Sequence, residues 1–197
     1  GVGQPEMGCA WSRRGTHLAA AAGRRRGRLR PVGILGGTFD PVHVGHLRAA
    51  LEIRDALDLA QVRLVPAHVP PHRPQPVASA AQRLAMLRLA VRGVAGLTVD
   101  ARELDRAGPS YTVDTLTDLR TQLGRRPLCL LVGEDAFVGL TTWHRWQELF
   151  ELCHFAVARR AGEMAPDKAC SPQLADALKT RRGAVADGVL EGVGGIA

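Results

Sequence analysis

One stretch of the chain, residues 36–46, combines residue types that suit phosphate binding and reads GGTFDPVHVGH. Its candidate phosphate contacts are Gly36, Gly37, Thr38, Phe39, His43 and His46. The two glycines let the backbone approach an anion closely because they lack a Cβ, and the next two N–H groups can point at the same anion. The two histidines are three residues apart at the start of a predicted helix, so both imidazoles can donate to phosphate oxygens from one face.

Each part of this stretch also has a purely structural interpretation, as a glycine-rich turn followed by two surface histidines. The combination, placed directly after a predicted strand and directly before a predicted helix, favours phosphate binding. The chain has no Gly-Lys-Ser or Gly-Lys-Thr sequence of the kind that ends a Walker A motif, which speaks against a P-loop kinase or ATPase.

Two further groups of polar residues are predicted near the same site. Asp135 ends the fourth predicted strand, where its carboxylate could orient a ribose hydroxyl or a magnesium-bound water, or cap a helix. His72 and Arg73 lie in the proline-rich loop VPPHRPQP. They could be cations that face a nucleotide, or they could belong to a solvated loop without a role in binding.

The elements that must position these residues alternate regularly between strand and helix. Short apolar runs predict strands over 31–37, 61–67, 97–103, 128–135 and 154–160, and amphipathic patterns predict helices over 45–57, 80–91, 112–123 and 143–152. This alternation indicates a doubly wound α/β domain, Rossmann-like, with a parallel sheet. We expect an Arg-rich disordered extension over 1–30, one domain over 31–160, and an atypical tail over 161–197 with at most one short helix near 172–179.

Composition limits the possible classes of protein. The net charge of +7 arises mostly in residues 1–30, where seven arginines and one glutamate leave +6, so the folded part is nearly neutral and nucleic-acid binding is not favoured. No apolar run approaches the roughly 18 residues of a membrane span. Cys9, Cys129, Cys153 and Cys170 form no C-x-x-C pair or zinc spacing, which predicts free thiols and a reducing cytoplasm.

Four more segments carry a family resemblance. They are PAHVPPHRPQP at 66–76, SAAQRLAMLRLAV at 79–91, PSYTVDTL at 109–116 and VGEDAFVGLTTWHRW at 132–146. Together with 36–46, and from about residue 32 to residue 160, they resemble the bacterial nicotinate-nucleotide adenylyltransferases, which belong to the nucleotidyltransferase superfamily with an (H/T)xGH signature.

The resemblance implies an enzyme of NAD biosynthesis that transfers AMP from ATP to nicotinic acid mononucleotide and releases pyrophosphate. His43 and His46 would be catalytic, and Mg²⁺ would bind mainly to the phosphates, without a metal site made of protein side chains. The implied ATP contacts are Gly36, Gly37, Thr38, Phe39, His43, His46, Gly133 and Asp135. The implied contacts to the acceptor nucleotide are His72, Arg73, Ser110, Tyr111, Thr112, Trp143 and His144. Core packing is the alternative role for Trp143.

The chain departs from this family after Arg160. The family carries a second ATP motif there, with the pattern [ST]-x-[ST]-x-[IL]-R. Residues 161–197 do not contain this motif. A truncation or frameshift would explain the difference, and we expect this chain to be a weak catalyst. Two other hypotheses stay open, namely a sibling adenylyltransferase for another acceptor and a nucleotide- or RNA-binding protein without catalysis.

Overall fold

A five-stranded parallel sheet forms the centre of the domain. The computed structural model describes residues 29–70, 75–158 and 170–179. The strands are β1 (Val32–Gly37), β2 (Gln61–Pro66), β3 (Leu97–Val99), β4 (Leu128–Gly133) and β5 (His154–Ala158). Their order is β3-β2-β1-β4-β5, and every neighbouring pair is parallel. Since sequence analysis predicts a doubly wound parallel sheet, the fold class is confirmed.

Helices cover both faces of this sheet. They are α1 (Val44–Ala56), α2 (Ala80–Val91), α3 (Thr112–Leu123), α4 (Glu134–Val138), α5 (Trp146–Leu152) and α6 (Pro172–Lys179). A 3₁₀ turn, Leu140–Thr142, separates α4 from α5. Alternate residues of the strands point to opposite faces, so each face has its own apolar core.

The two cores divide the residues of the strands between them. The α3-face cluster consists of Val32, Ile34, Val65, Val113, Leu116, Leu119, Leu128, Leu130, Val132, Phe137, Leu140, Leu149, Phe150, Cys153, Phe155, Leu174 and Leu178. The α1-face cluster consists of Phe39, Ala50, Leu59, Val62, Leu64, Leu87, Leu97, Cys129, Leu131 and Ala156. Along β4, residues 128, 130 and 132 belong to the first cluster and 129 and 131 to the second, which is the alternation of a strand buried on both sides.

The third and fourth strands end earlier than the sequence predicts. β3 stops at Val99 because the carboxylate of Asp100 accepts hydrogen bonds from the backbone N–H and the guanidinium of Arg102, which turns the chain away from the sheet. β4 stops at Gly133, and Glu134 and Asp135 form the first turn of α4, where the helix dipole favours carboxylates. The prediction that Asp135 ends the fourth strand is therefore wrong.

The last predicted helix of the domain also begins later than expected. Sequence analysis places its start at Trp143, but the 3₁₀ turn ends at Thr142 and Arg145 lies in the left-handed region with φ of 52°, so α5 begins at Trp146. This irregular segment between the 3₁₀ turn and α5 leaves residues 143–145 outside any helix.

The short helix expected in the tail is confirmed as α6, whose Leu174 and Leu178 pack in the α3-face cluster. Residues 1–28, 159–169 and 180–197 lie outside the described residues, and so does most of the predicted extension and tail. Within the described part, Cys129, Cys153 and Cys170 form no disulfide, as predicted, while Cys9 lies outside it. No described helix is long and apolar enough to cross a membrane.

Candidate functional site

The strand order creates a crevice at the carboxyl edge of the sheet. From β1 the chain passes to α1 on one face, whereas from β4 it passes to α4 and α5 on the other. Ligands of doubly wound sheets bind outside the carboxyl ends of strands at the point where the order reverses. In this sheet that point lies between β1 and β4.

The turn after β1 exposes backbone at this crevice. Gly36 is exposed, and a Cβ added there would meet no atom within 4 Å, so space for a ligand is open beside it. Phe39 has φ of 50° and is only 2% exposed, because its ring packs in the α1-face cluster. The side chain of Phe39 therefore anchors the turn in the core.

The two histidines of this turn are in direct contact. Their rings are stacked with centroids 3.8 Å apart, and the edge of the Phe39 ring lies against His46 with centroids 5.1 Å apart. The backbone N–H of His43 donates to Nδ1 of His46 over 3.3 Å. Because Nδ1 is an acceptor in this bond, the neutral imidazole of His46 carries its hydrogen on Nε2.

The electrostatic environment favours this neutral form. Partial burial lowers the pKa of His46, and the nearby charge of His43 lowers it further. His46 is thus a neutral donor through Nε2 near pH 7, fixed by a backbone bond at its other nitrogen.

A buried arginine, absent from the sequence-predicted site, ties this turn to two other segments. Arg83 in α2 is 1% exposed. Its guanidinium donates to the carbonyl of Thr38 over 2.7 Å and of Ala67 over 2.8 Å, and it also contacts the carbonyls of His68 and Ala78. Burial lowers the pKa of Arg83, an effect that the charge of Asp40 partly offsets.

Asp40 is a second residue that sequence analysis did not assign. Its carboxylate accepts hydrogen bonds from the backbone N–H groups of Val77 and Ala78, just before α2. Arg83 and Asp40 together join the β1–α1 turn to the end of β2 and to the start of α2. The sequence does contain one signal for the burial of Arg83. It lies four positions before the apolar Leu87, which places both side chains on the same, buried face of α2.

The predicted acceptor contacts come together at the other side of the crevice. Ser110 and Tyr111 precede α3, which begins at Thr112. The ring of Tyr111 lies against that of His144 with centroids 4.3 Å apart. Trp143 is partly buried against the α3-face cluster, so it combines core packing with a partly exposed ring.

Ser110 links this side of the crevice to the end of β2. Its Oγ accepts a hydrogen bond from the backbone N–H of His68 over 2.8 Å, and its own backbone N–H donates to the carbonyl of Val69 over 3.0 Å. The hydroxyl of Ser110 therefore holds the backbone of His68 at the end of β2 against the start of α3.

The remaining predicted residues are placed as follows. Gly133 is exposed at the end of β4, next to the strand that carries the phosphate turn, and Asp135 is exposed in α4. His72 and Arg73 lie outside the described residues. Among the residues that the structure describes, no three His, Cys, Asp or Glu side chains converge as a metal site of protein ligands would require.

Comparisons with known proteins agree with this architecture. The Cytidylyltransferase-like family model matches residues 34–180. A protein of Aeromonas hydrophila named probable nicotinate-nucleotide adenylyltransferase is 51% identical over 165 residues, which cover 79% of this chain and 77% of that protein. A Methylococcus capsulatus protein of the same name is 57% identical over 130 residues, 66% of this chain and 62% of its own length.

Among solved structures, nicotinic acid mononucleotide adenylyltransferase of Plasmodium falciparum, complexed with NaAD, has a TM-score of 0.59 at 15% identity. The match covers 70% of this chain and 68% of that one. At this level of identity the likeness concerns the fold. Over the Aeromonas and Methylococcus relatives, the matched part of this chain spans between 62% and 77% of their length.

Proposed function

The chain belongs to the nicotinate-nucleotide adenylyltransferase family, and from this premise we propose that it transfers the AMP part of ATP to nicotinic acid mononucleotide. The products are deamido-NAD and pyrophosphate. The observation that carries the proposal is the stacked pair of His43 and His46 beside an open glycine turn at the reversal of strand order.

The reaction requires alignment more than it requires a base. The phosphate of the acceptor is already anionic at neutral pH, so one of its oxygens attacks the α-phosphorus of ATP directly. The P–O bond to pyrophosphate breaks as the new P–O bond forms, and no covalent enzyme intermediate arises. The contribution of the protein is to hold both phosphates in line and to stabilise the charge that develops toward the leaving pyrophosphate.

His46 is the proposed source of this stabilisation. Its Nε2–H donates to the phosphates of ATP, while the backbone bond at Nδ1 fixes the direction of the ring. His43, stacked against it, provides a second donor, and the backbone of Gly36, Gly37 and Thr38 surrounds the same anion.

The proposed magnesium ion would be held by the substrate. Mg²⁺ would bind the phosphates of ATP, where it would neutralise part of their charge, since magnesium keeps much of its water shell and is usually bound through substrate phosphates. Gly133 and Asp135 would face the ribose or a magnesium-bound water from the end of β4. His72 and Arg73 would supply cations to the acceptor or the triphosphate.

The acceptor would bind at the start of α3. Backbone N–H groups at Tyr111 and Thr112 belong to the first turn of a 12-residue helix, whose dipole favours the carboxylate that distinguishes nicotinate from nicotinamide. The rings of Tyr111, Trp143 and His144 offer apolar faces to the pyridine. Free thiols at Cys129 and Cys153 support action in the cytoplasm.

A direct assay tests this proposal. The purified chain is incubated with ATP, Mg²⁺ and nicotinic acid mononucleotide, and both pyrophosphate and deamido-NAD are measured, with His46→Ala as the matched control. A parallel reaction contains nicotinamide mononucleotide. Equal specificity constants for the two acceptors would contradict the assignment of the substrate, and product from neither would contradict the reaction.

A further inference from the structure

A buried carboxylate behind the acceptor side of the crevice has no part in the reaction described above. Glu103 is 7% exposed and follows β3 in the loop that leads to Ser110. Its Oε1 accepts a hydrogen bond of 2.6 Å from the hydroxyl of Thr115, in the second turn of α3, and the side chain of Ser110 lies close enough to the same carboxylate to lower its pKa.

These contacts extend to three segments that border the acceptor side. Ser110 also binds the backbone N–H of His68 at the end of β2, and Nδ1 of His68 donates to the carbonyl of Arg106 over 2.9 Å. The guanidinium of Arg106 contacts Thr115 over 3.2 Å and pairs with Asp118 on α3. Glu103 therefore lies at the centre of a network that joins β2, the β3–α3 loop and the start of α3.

Burying a carboxylate costs free energy because the charged group loses its hydration, so packing alone does not explain Glu103. Burial, with a smaller effect from the charge of Asp100, raises the pKa of Glu103 despite the opposing effects of the Thr115 and Ser110 side chains and of the charge of Arg106. The hydroxyls of Ser110 and Thr115 flank the N-terminal end of α3 on both sides, since one lies two residues before the helix and the other lies inside it. Fixing both hydroxyls fixes the direction of the backbone N–H groups between them.

We propose that Glu103 is a positioning residue for the acceptor, which holds Ser110 and α3 so that the N–H groups at Tyr111 and Thr112 face the carboxylate of nicotinic acid mononucleotide. This inference rests on the proposed function of the site. Glu103 does not touch the acceptor and acts through Ser110.

The test measures binding of each substrate separately by calorimetry, with nicotinic acid mononucleotide and with ATP as ligands. Glu103→Gln keeps the shape of the side chain but supplies only one acceptor oxygen, so one hydroxyl loses its partner. We expect the Kd for nicotinic acid mononucleotide to rise about 10-fold, the effect of one poorly satisfied buried hydrogen bond, and the Kd for ATP to stay the same.

Asp100 provides a control, because it is a partly buried carboxylate after β3 that pairs with Arg63 and Arg102 instead of Ser110. Asp100→Asn is expected to change the stability of the fold and to leave both Kd values unchanged. An equal loss of affinity for the acceptor in Asp100→Asn and Glu103→Gln would assign both effects to general loosening and overturn the proposal.

A double-mutant cycle with Ser110→Ala tests the route of the effect. If Glu103 acts through Ser110, Glu103→Gln adds little to the Kd of a chain that already carries Ser110→Ala. Fully multiplicative effects, or an unchanged Kd for the acceptor in Glu103→Gln, would overturn the inference. Since the readout is binding, tight binding of the acceptor without turnover would contradict the proposed reaction while leaving the role of Glu103 measurable.

Discussion

A Cβ on Gly45 would lie 3.0 Å from Nδ1 of His43 and 3.1 Å from its Cε1. Real Cβ atoms rarely lie so close to another atom, so the imidazole must move if Gly45 carries a side chain. A side chain at position 45 would therefore shift the ring of His43 by a few tenths of an ångström.

Gly45→Ala is expected to separate activity from stability. Alanine favours a helix over glycine by about 1 kcal/mol, so the melting temperature should stay the same or rise. The displaced ring of His43 should lower kcat about 10-fold or more, as expected for a misplaced donor. Val44→Ala, at an exposed position of the same turn, is the control. A normal kcat in Gly45→Ala would mean that the position of His43 is not critical.

The titration of His46 provides a second prediction. Because burial and the neighbouring His43 lower its pKa, its ring should titrate below 6.5, the ordinary pKa of histidine, in nuclear magnetic resonance spectra. His43→Gln should raise the pKa of His46 toward that value, since the nearby imidazole that opposes protonation is lost. His144→Gln, on the other side of the crevice, should leave it unchanged. A pKa of His46 above 6.5 in the unmodified chain would contradict the neutral donor.

Arg83 should be important for stability as well as activity. Arg83→Met leaves buried carbonyls of Thr38 and Ala67 without their donor, which should lower the free energy of unfolding by about 2 to 4 kcal/mol. Arg83→Lys should recover part of this loss because an ammonium can still reach some of the carbonyls. Arg88→Met, exposed on the same helix, should have little effect in urea unfolding. A loss as small as that of Arg88→Met would show that water replaces the guanidinium.

Glu103 should make stability depend on pH. Its pKa is raised in the folded state above the ordinary value of glutamate, so its contribution to stability is fully present below that ordinary value and is lost as the pH rises through the raised pKa. Glu103→Gln has no proton to lose, so the difference in unfolding free energy should shift in favour of Glu103→Gln as the pH rises from the ordinary pKa of glutamate through the raised pKa of Glu103. A difference in unfolding free energy that is constant over this range would show that burial does not shift this carboxyl.

The segment after Arg160 gives a fifth prediction. Replacing residues 180–197 by a helix start with the serine–threonine–arginine motif of the family should increase kcat/KM for ATP about 10-fold or more, because a charged donor then contacts the phosphates from a second side. The same helix with alanine in place of its arginine is the control. Equal rates for the original chain and the motif-bearing variant would show that the phosphate turn suffices.

The sequence predicts those elements whose ends are set by nearby residues. α2 begins after Ser79 because the hydroxyl of Ser79 accepts a hydrogen bond from the backbone N–H of Gln82. In turn, the backbone N–H of Ser79 donates to the side-chain oxygen of Gln82. This capping box is visible in the sequence, and both ends of α2 agree with the prediction. The phosphate turn is equally local, since its glycines and histidines lie within 11 residues.

The parts that sequence analysis missed depend on distant contacts. Arg83 reads as an ordinary cation on an amphipathic helix, and only the fold shows that it reaches the carbonyl of Thr38, 45 residues away. The sequence predicts that Glu103 ends a strand, but the turn at Asp100 places its carboxylate in contact with Thr115 of α3. Neither partner lies within the range of a helical or strand repeat, so a local pattern can indicate that Arg83 lies on the buried face of α2 but cannot indicate what either residue binds.

The division of the crevice between separate stretches of chain bears on how such a protein diverges. The phosphate turn is tied to α2 and β2 by Arg83 and Asp40, whereas the start of α3 is held by Glu103 and Ser110. Substitutions around α3 can therefore reshape the pocket for a new acceptor and leave the turn that handles ATP intact, as long as the backbone of His68, which Arg83 and Ser110 both bind, keeps its position. Descendants of one ancestral domain could thus acquire different second substrates and inherit a single way of activating the first.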